Sequence, residues 1–343
     1  MWESRVRRAA VLGAGTMGAQ LAALLANAGV PVLLLDVVPP ELTEEEQRRG
    51  LTRDHPEYRN RLSRAGLERA LQMRPAAFTV PERAQLVTVG NLEDDLHRVA
   101  ECDWVIEAVV EDLRVKQEVM GRLERFWRPG VVVSTNTSGL PVREIAEDRS
   151  PEFRRHFLGT HFFNPPRYLR LLELIPLSDT DPQVVRWVEE VAGRILGKGV
   201  VFCKDTPNFI ANRIGTFGFL YTVRVMVEEG LTIEEVDELT GPFLGRPRSA
   251  TFRTADLVGL DVLAHVARNS YERLKDDEQR ETFRLPHWLE AMLQRGWLGD
   301  KAGRGFYSRS DGEVLVLDYH TLEYRPRQRP RLPTVDAVRN VDD

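Results

Sequence analysis

Two side chains in this chain, His161 and Glu173, are of the types that carry out proton transfer. His161 ends an apolar run, and histidine is the usual general base of enzymes because its imidazole exchanges protons near neutral pH. A histidine in such a run is also a common core residue. Glu173 lies within the apolar run 171–175, where a carboxylate is costly to bury without a partner. If Pro165 and Pro166 reverse the chain, the two strands lie side by side and Glu173 can orient the imidazole.

Two further polar side chains, Ser138 and Asn212, are candidates for binding a substrate oxygen. Ser138 follows a strand-like run, and residues beyond the carboxyl ends of parallel strands line the ligand crevice. A serine at a strand end is also a common helix cap. Asn212 falls inside a predicted helix, where asparagine competes with the backbone for hydrogen bonds. Its position indicates a tertiary or ligand partner, although exposed asparagines also occur in ordinary helices.

The glycine spacing of residues 13–18 predicts a dinucleotide-binding turn between an apolar strand and an apolar helix. The first glycine permits the tight turn, the second lets the backbone approach a pyrophosphate, and the third packs helix against strand. Asp36 ends the next predicted strand, where a carboxylate binds an adenosine ribose and repels a 2′-phosphate. We therefore expect NAD rather than NADP to be bound at Gly13, Gly15, Thr16, Met17, Gly18 and Asp36.

The elements that must position these residues fall into a first domain over residues 1–204. Strand-like apolar runs alternate with helical segments, which predicts an α/β fold with a doubly wound, mainly parallel sheet of the Rossmann type. The charged segment at about 41–75 departs from this alternation. Because Pro56 interrupts it, we expect a helical arm made of two helices.

After residue 204 the pattern becomes helical with short loops, which predicts an all-α second domain over 205–308. Thr206-Pro207 is a favourable helix start, and the first helix is expected to run from there to Glu229. From residue 309 to 343 the composition is rich in proline and arginine. We expect an extended tail or linker there.

The composition is typical of a cytoplasmic enzyme. With 47 Lys and Arg against 52 Asp and Glu, the net charge of −5 gives no general attraction for nucleic acid. No apolar run reaches membrane-spanning length, and the charged start lacks a signal-peptide core. The two cysteines, Cys102 and Cys203, are expected to be buried thiols, and no HExxH, paired CxxC or acidic calcium loop predicts a metal.

From about Arg7 to Tyr307 the chain resembles the L-3-hydroxyacyl-CoA dehydrogenase family. Several motifs occur in the order that the family shows. They are GAGTMG at 13–18, IEAVVEDLRVKQ at 106–117, NTSGL at 136–140, HFFNPP at 161–166, DTPNFIANRI at 205–214, ADLVGLDV at 255–262 and KAGRGFY at 301–307.

The resemblance implies reversible, NAD-dependent oxidation of an L-3-hydroxyacyl-CoA to a 3-oxoacyl-CoA, as in fatty acid β-oxidation. It makes His161 the base and Glu173 its partner, with Ser138 and Asn212 positioning the substrate oxygen. It also places four residues against NAD: Glu111, Lys116, Asn164 and Lys301. From the residues alone there is an alternative for each: the first two can be a solvated ion pair, the third a turn former and the fourth a loop charge.

The family also implies a homodimer, and its longer members join this architecture to an enoyl-CoA hydratase, which makes a hydratase a candidate partner. The alternatives are a 3-hydroxybutyryl-CoA or sugar-acid dehydrogenase of the same fold, or a catalytically silent module that binds NAD or acyl-CoA. Two segments depart from the family pattern. The segment 243–254 is longer than the compact family turn. The arm, which holds CoA in the family, carries four arginines here: Arg59, Arg61, Arg64 and Arg69. They are candidates for binding the CoA phosphates, and the alternative is that they form a solvated helix face.

Overall fold

The computed structural model describes residues 5–310 and 312–338, and the chain divides into two compact units between Phe209 and Ile210. This division lies a few residues after the boundary that the sequence predicts. No helix in the described ranges combines the length and the apolar composition needed to cross a bilayer.

The first unit is built on an eight-stranded sheet. Its strands are β1 (Ala9–Leu12), β2 (Val32–Asp36), β3 (Val87–Asn91), β4 (Trp104–Glu107), β5 (Val132–Thr135), β6 (Phe157–Phe162), β7 (Leu171–Pro176) and β8 (Gly199–Phe202). They lie in the order β3-β2-β1-β4-β5-β6-β7-β8, and every neighbouring pair is parallel except the antiparallel pair β6–β7. The predicted doubly wound, mainly parallel sheet is therefore confirmed.

Helices cover both faces of this sheet. They are α1 (Thr16–Asn27), α2 (Glu44–Arg48), α3 (Pro56–Arg59), α4 (Arg61–Gln72), α5 (Leu113–Glu124), α6 (Val142–Ile145), α7 (Pro151–Arg155) and α8 (Pro182–Glu190), which continues as a π-helical turn over Val191–Ile195. Along β1, Ala9 and Val11 enter one hydrophobic core while Ala10 and Leu12 enter the other. A strand that is apolar on both sides is what a sheet buried between two helical layers requires.

The arm contains three helices, α2 to α4, so the expectation of two helices was wrong. Pro56 occupies the first turn of α3, where its missing N–H is no loss because that group has no partner inside a helix. The proline therefore starts a helix here instead of interrupting one.

The second unit consists mainly of helices. They are α9 (Ala211–Glu228), α10 (Ile233–Thr240), α11 (Phe252–Val258), α12 (Leu260–Arg273) and α13 (His287–Gln294). The first of these begins later than Thr206-Pro207 predicts. Asn208 and Phe209 have φ of +61° and +51°, and residues in the left-handed region cannot belong to a right-handed helix.

The segment that the sequence predicts as an extended tail instead forms a small antiparallel sheet. Its strands are β9 (Tyr307–Ser310), β10 (Glu313–Asp318) and β11 (Glu323–Pro326), in the order β11-β10-β9, and α14 (Pro333–Val338) follows. Val316 and Leu317 of β10 are buried in the core of the second unit with Phe306. The predicted helical second domain is therefore confirmed, the small sheet begins at its end, and residues 311 and 339–343 of the predicted tail lie outside the described residues.

Candidate active site

The three glycines of the turn after β1 have three different geometric roles. Gly13 has φ of +97°, and a Cβ there would lie 2.5 Å from the carbonyl oxygen of Ala108. A Cβ on Gly18 would overlap the carbonyl oxygen of Gly13, so this glycine lets α1 pack against the turn. A Cβ on Gly15 would meet no atom within 4 Å. The open space beside Gly15, at the start of α1, fits a pyrophosphate bound by helix N–H groups.

Asp36, at the end of β2, is tied directly to this turn. One carboxylate oxygen accepts a hydrogen bond from the backbone N–H of Ala14, and the other accepts one from Val37, both at 2.7 Å. A carboxylate has about four acceptor positions, so two remain for ribose hydroxyls. Thr16 is exposed and Met17 half-buried at the start of α1. The predicted cofactor residues of the glycine turn and Asp36 thus lie together at the carboxyl ends of β1 and β2.

A buried charge cluster lies at the end of the neighbouring strand β4. Lys116, with a side chain 1% exposed, places its Nζ 2.7 Å from Glu107 and 3.3 Å from Glu111. Glu107 is fully buried and also accepts hydrogen bonds from the Thr135 hydroxyl at 2.6 Å and the Val109 N–H at 2.7 Å. Lys116 and Glu111 are therefore not an ordinary solvated ion pair.

Glu111 connects this cluster to Ser138. One of its carboxylate oxygens accepts hydrogen bonds from the Thr137 hydroxyl at 2.7 Å, the Ser138 N–H at 2.8 Å and the Ser138 hydroxyl at 3.1 Å. Burial acts to raise the pKa of Glu111, but the charge of Lys116 and these hydrogen bonds outweigh it and lower the pKa. Glu111 is thus held as a carboxylate, and it fixes the position of the Ser138 hydroxyl.

The antiparallel strands β6 and β7 place His161 directly opposite Glu173. The Nδ1 atom of His161 lies 2.7 Å from a carboxylate oxygen of Glu173, and the two residues are 5% and 1% exposed. The imidazole ring also packs against Phe163 and Phe209, with ring centroids 4.4 Å and 5.8 Å away. With Nδ1 facing the carboxylate, Nε2 is the nitrogen that can accept a proton from a substrate.

The segment after His161 is held by two buried polar groups. Asn164 accepts a hydrogen bond at 2.8 Å from Gln20 of α1, which ties this segment to the helix behind the glycine turn. The Lys198 ammonium donates to the carbonyls of Pro166 and, at 2.8 Å, Leu169. Burial lowers the pKa of Lys198 to about 8.

The two predicted site residues of the second unit are Asn212 and Lys301. Asn212 is half-buried in the first turn of α9. Lys301 forms an ion pair with Asp261 of α12, and its side chain is about half exposed.

Three of the four arm arginines have partners within the first unit. Arg59 pairs with Asp94, Arg61 pairs with Glu46, and Arg69 donates to the Ala14 carbonyl at 3.0 Å, whereas Arg64 is exposed.

Sequence reasoning missed several polar residues of this site: Gln20, Glu107, Asn136, Thr137 and Lys198. The signal for Glu107 was present, because it is a lone carboxylate in an apolar strand, as Glu173 is. Asn136 accepts a hydrogen bond from the Phe162 N–H at 3.0 Å and donates its own N–H to the Glu107 carbonyl at 2.8 Å. It therefore joins the ends of three strands, a role that sequence spacing alone does not indicate.

Comparison with known proteins gives a consistent family. Residues 8–206 match the family model described as 3-hydroxyacyl-CoA dehydrogenase, NAD binding domain, and residues 209–309 match the C-terminal domain of the same family. A crystal structure of FadB2 from Mycobacterium tuberculosis superposes with a TM-score of 0.71 at 34% identity, covering 89% of this chain and 99% of that chain.

Two curated relatives carry the name probable 3-hydroxyacyl-CoA dehydrogenase. The one from Bacillus subtilis is 51% identical over 336 residues, which are 98% of this chain and 42% of the relative. The one from Deinococcus radiodurans is 50% identical over 309 residues, which are 90% of this chain and 84% of the relative. The chain therefore spans less than half the length of the Bacillus relative.

Proposed function

Because the chain belongs to the 3-hydroxyacyl-CoA dehydrogenase family, we propose that it catalyses the reversible, NAD-dependent oxidation of L-3-hydroxyacyl-CoA to 3-oxoacyl-CoA. The observation that carries this proposal is the buried His161–Glu173 pair, with 2.7 Å between nitrogen and oxygen. An imidazole oriented by a carboxylate is the arrangement that accepts a hydroxyl proton during oxidation.

His161 removes the proton of the 3-hydroxyl through Nε2, which increases the alkoxide character of that oxygen and assists hydride loss from C3. Bound NAD supplies the hydride acceptor. Glu173 holds the imidazole in place through Nδ1 and stabilises the imidazolium that forms. A positioned acid or base of this kind contributes roughly 10²–10⁴-fold to the rate.

Ser138 and Asn212 complete the proposed catalytic set by positioning the reacting oxygen. Glu111 accepts the Ser138 N–H and hydroxyl, so the serine is held in one orientation before substrate arrives. Such preorganisation is how positioning residues lower a barrier. For Asn212 the support is its side-chain chemistry and its place in the matching motif at 205–214.

The cofactor residues fit NAD by their chemistry. The glycine turn offers backbone N–H groups and open space to the phosphates, and Asp36 offers acceptors to the ribose. Glu111, Asn164 and Lys301 are proposed to contact the cofactor directly. Lys116 is 1% exposed, so its proposed contribution is to hold Glu111 in place.

The same proposal includes a homodimer, a cytoplasmic location and an enoyl-CoA hydratase as partner. The homodimer and the hydratase partner rest on the family resemblance, and the cytoplasmic location rests on the composition. Of all parts of the proposal, the acyl-CoA substrate can be tested most directly, by an enzyme assay.

Initial rates with NAD test the proposal directly. A series of L-3-hydroxyacyl-CoAs from the four-carbon thioester upward, with sugar acids as comparison substrates, should give NADH formation with the thioesters alone. A catalytically silent binding module would bind NAD without any turnover. Absence of NADH formation with every thioester, in protein that binds NAD, would overturn the proposal.

Cofactor choice is tested at Asp36. Replacing Asp36 with Ser should raise the KM for NAD by about tenfold or more, since a charged acceptor is lost. It should also reduce the preference of the enzyme for NAD over NADP. Because Asp36 also accepts the Ala14 N–H, thermal unfolding of the variant is the necessary control. Equal use of NADP by the unaltered enzyme would show that Asp36 does not select the ribose.

A further inference from the structure

A cavity of about 1000 Å³ lies wholly within the second unit, and none of the proposed catalytic residues lines it. Its walls come from two sequence features that the proposed function leaves unused. One is the long segment 243–254, and the other is the arginine-rich stretch that forms the small sheet and its continuation to residue 329. These features, far apart in sequence, meet around one space.

The charge of this cavity is positive, although the whole chain carries −5. Five arginines line it against three acidic residues: Arg248, Arg253, Arg309, Arg327 and Arg329 against Asp237, Glu238 and Asp300. Of the salt bridges formed among the described residues, Arg253–Asp300 is the one that involves a lining arginine. Of the other four, Arg327 lies over the Tyr307 ring, with its Cζ 6.0 Å from the ring centroid, and Arg248, Arg309 and Arg329 are exposed to a ligand.

Asp237 holds the elements of the cavity wall together. Asp237 accepts hydrogen bonds from the Phe252 N–H at 2.7 Å and the Tyr307 hydroxyl at 2.6 Å, which joins α10 to α11 and to β9. The N–H of Arg327 donates to the Val314 carbonyl at 3.0 Å, so the backbone at Arg327 is held beside β10. The arginines therefore project from a hydrogen-bonded frame.

We propose that this cavity binds a small organic phosphate of nucleotide size, at a site separate from the dehydrogenase chemistry. Arginine presents a planar fork of donors that matches phosphate oxygens two at a time, and several such forks around one space favour more than one phosphate group. The volume lies at the upper end of the roughly 300–1,000 Å³ typical of small-molecule sites, which exceeds the need of a single inorganic ion.

Calorimetric titration of the full chain tests this proposal. The protein is first saturated with NADH to fill the dinucleotide site, and inorganic pyrophosphate and ADP are then titrated separately. We expect binding that weakens as salt is raised, because charge drives it. We expect ADP to bind more tightly than pyrophosphate, whereas equal affinity for the two probes would overturn the nucleotide-sized ligand and leave only the phosphates as the recognised group.

The double variant Arg309→Gln, Arg327→Gln should weaken this binding by about tenfold to a hundredfold, the range for losing hydrogen bonds to a charged group. Arg273→Gln, at an exposed arginine of α12 in the same unit, is the matched control and should leave it unchanged. If the double variant does not fold, Arg248→Gln in the segment 243–254 replaces it. No binding of either probe by the unaltered protein, or binding that the cavity variants leave unchanged, would overturn the proposal.

Discussion

Two buried carboxylates of the same sheet, Glu107 on β4 and Glu173 on β7, have different partners. Both are at most 1% exposed, and each lies 2.7 Å from a basic nitrogen. The partner of Glu107 is the ammonium of Lys116, which also contacts Glu111. The partner of Glu173 is the imidazole of His161.

This difference separates a structural role from the catalytic role that we propose for His161 and Glu173. An ammonium between two carboxylates, with further hydrogen bonds to Glu107 from Thr135 and Val109, forms a fixed network of charges. Removing one member leaves a buried charge without its partner, so the substitution should lower the free energy of unfolding. An imidazole beside one carboxylate can change its charge during a reaction. Its loss should fall on turnover instead.

The largest stability effect is expected at Lys116. Replacement of Lys116 with Met should lower the free energy of unfolding by about 3–5 kcal/mol, because Glu107 is left buried without its cation. Urea unfolding measures this. Adding Glu107→Gln to the same variant should recover part of the loss, since the orphaned charge is then removed. A single variant within about 1 kcal/mol of the unaltered protein would contradict the structural role.

The glycine turn gives a matched pair of variants that separates folding from cofactor binding. Gly18→Ala places a methyl group against the Gly13 carbonyl and should destabilise the protein by about 1–3 kcal/mol or more. Gly15→Ala meets no atom within 4 Å and has φ of −64°, which alanine adopts readily. Its stability should be unchanged or slightly higher, while the KM for NAD rises because the methyl group occupies the phosphate space. Equal effects of the two variants on KM would contradict this assignment.

Lys198 extends the comparison to a second buried lysine, whose ammonium is held by backbone carbonyls instead of carboxylates. Burial lowers its pKa from 10.5 to about 8. Below pH 8 the folded and unfolded chains both carry this proton. Between pH 8 and 10.5 the unfolded chain holds more of it, so the contribution of Lys198 to stability rises with pH.

The difference in the free energy of unfolding between the unaltered protein and Lys198→Met should therefore shift in favour of the unaltered protein as the pH rises from 8 to 10.5. The shift should be at most about 3 kcal/mol. Lys275→Met, at an exposed lysine, serves as the control and should show a flat difference. Urea unfolding at several pH values measures both. A flat difference for Lys198 would show that its proton is held equally in the two states.

The sequence allowed much of the first unit to be predicted because its signals are local. Alternating apolar runs predicted the strands, glycine spacing predicted the turn, and a proline pair between two apolar runs predicted that His161 and Glu173 face each other. The burial of Lys116 could not be predicted, because it depends on Glu107 from the neighbouring strand. A charged residue in a helix normally faces solvent.

The second unit was predicted less well because its arginine- and proline-rich composition drew attention away from a short strand pattern. The arginines and prolines beyond Ser308 indicated an extended tail, yet the short apolar run at Val314–Leu317 forms the central strand of a sheet. The start of α9 was placed too early. Asparagine adopts the left-handed conformation more often than most residues, but Phe209, which also adopts it, gives no such signal. At β10 the packing against the core of the second unit outweighs the local composition, and at the start of α9 the left-handed backbone outweighs the helix-start signal.

The most direct test of the central claim, that His161 and Glu173 act as one proton-transfer unit, is the kcat of a double-mutant cycle. His161→Gln should reduce kcat by roughly 10²–10⁴-fold with folding and NAD binding retained, and Glu173→Gln should reduce it less. The double variant should be little slower than His161→Gln alone, because both residues act on the same proton. Near-normal turnover of His161→Gln, or strict multiplication of two large single effects, would contradict the account.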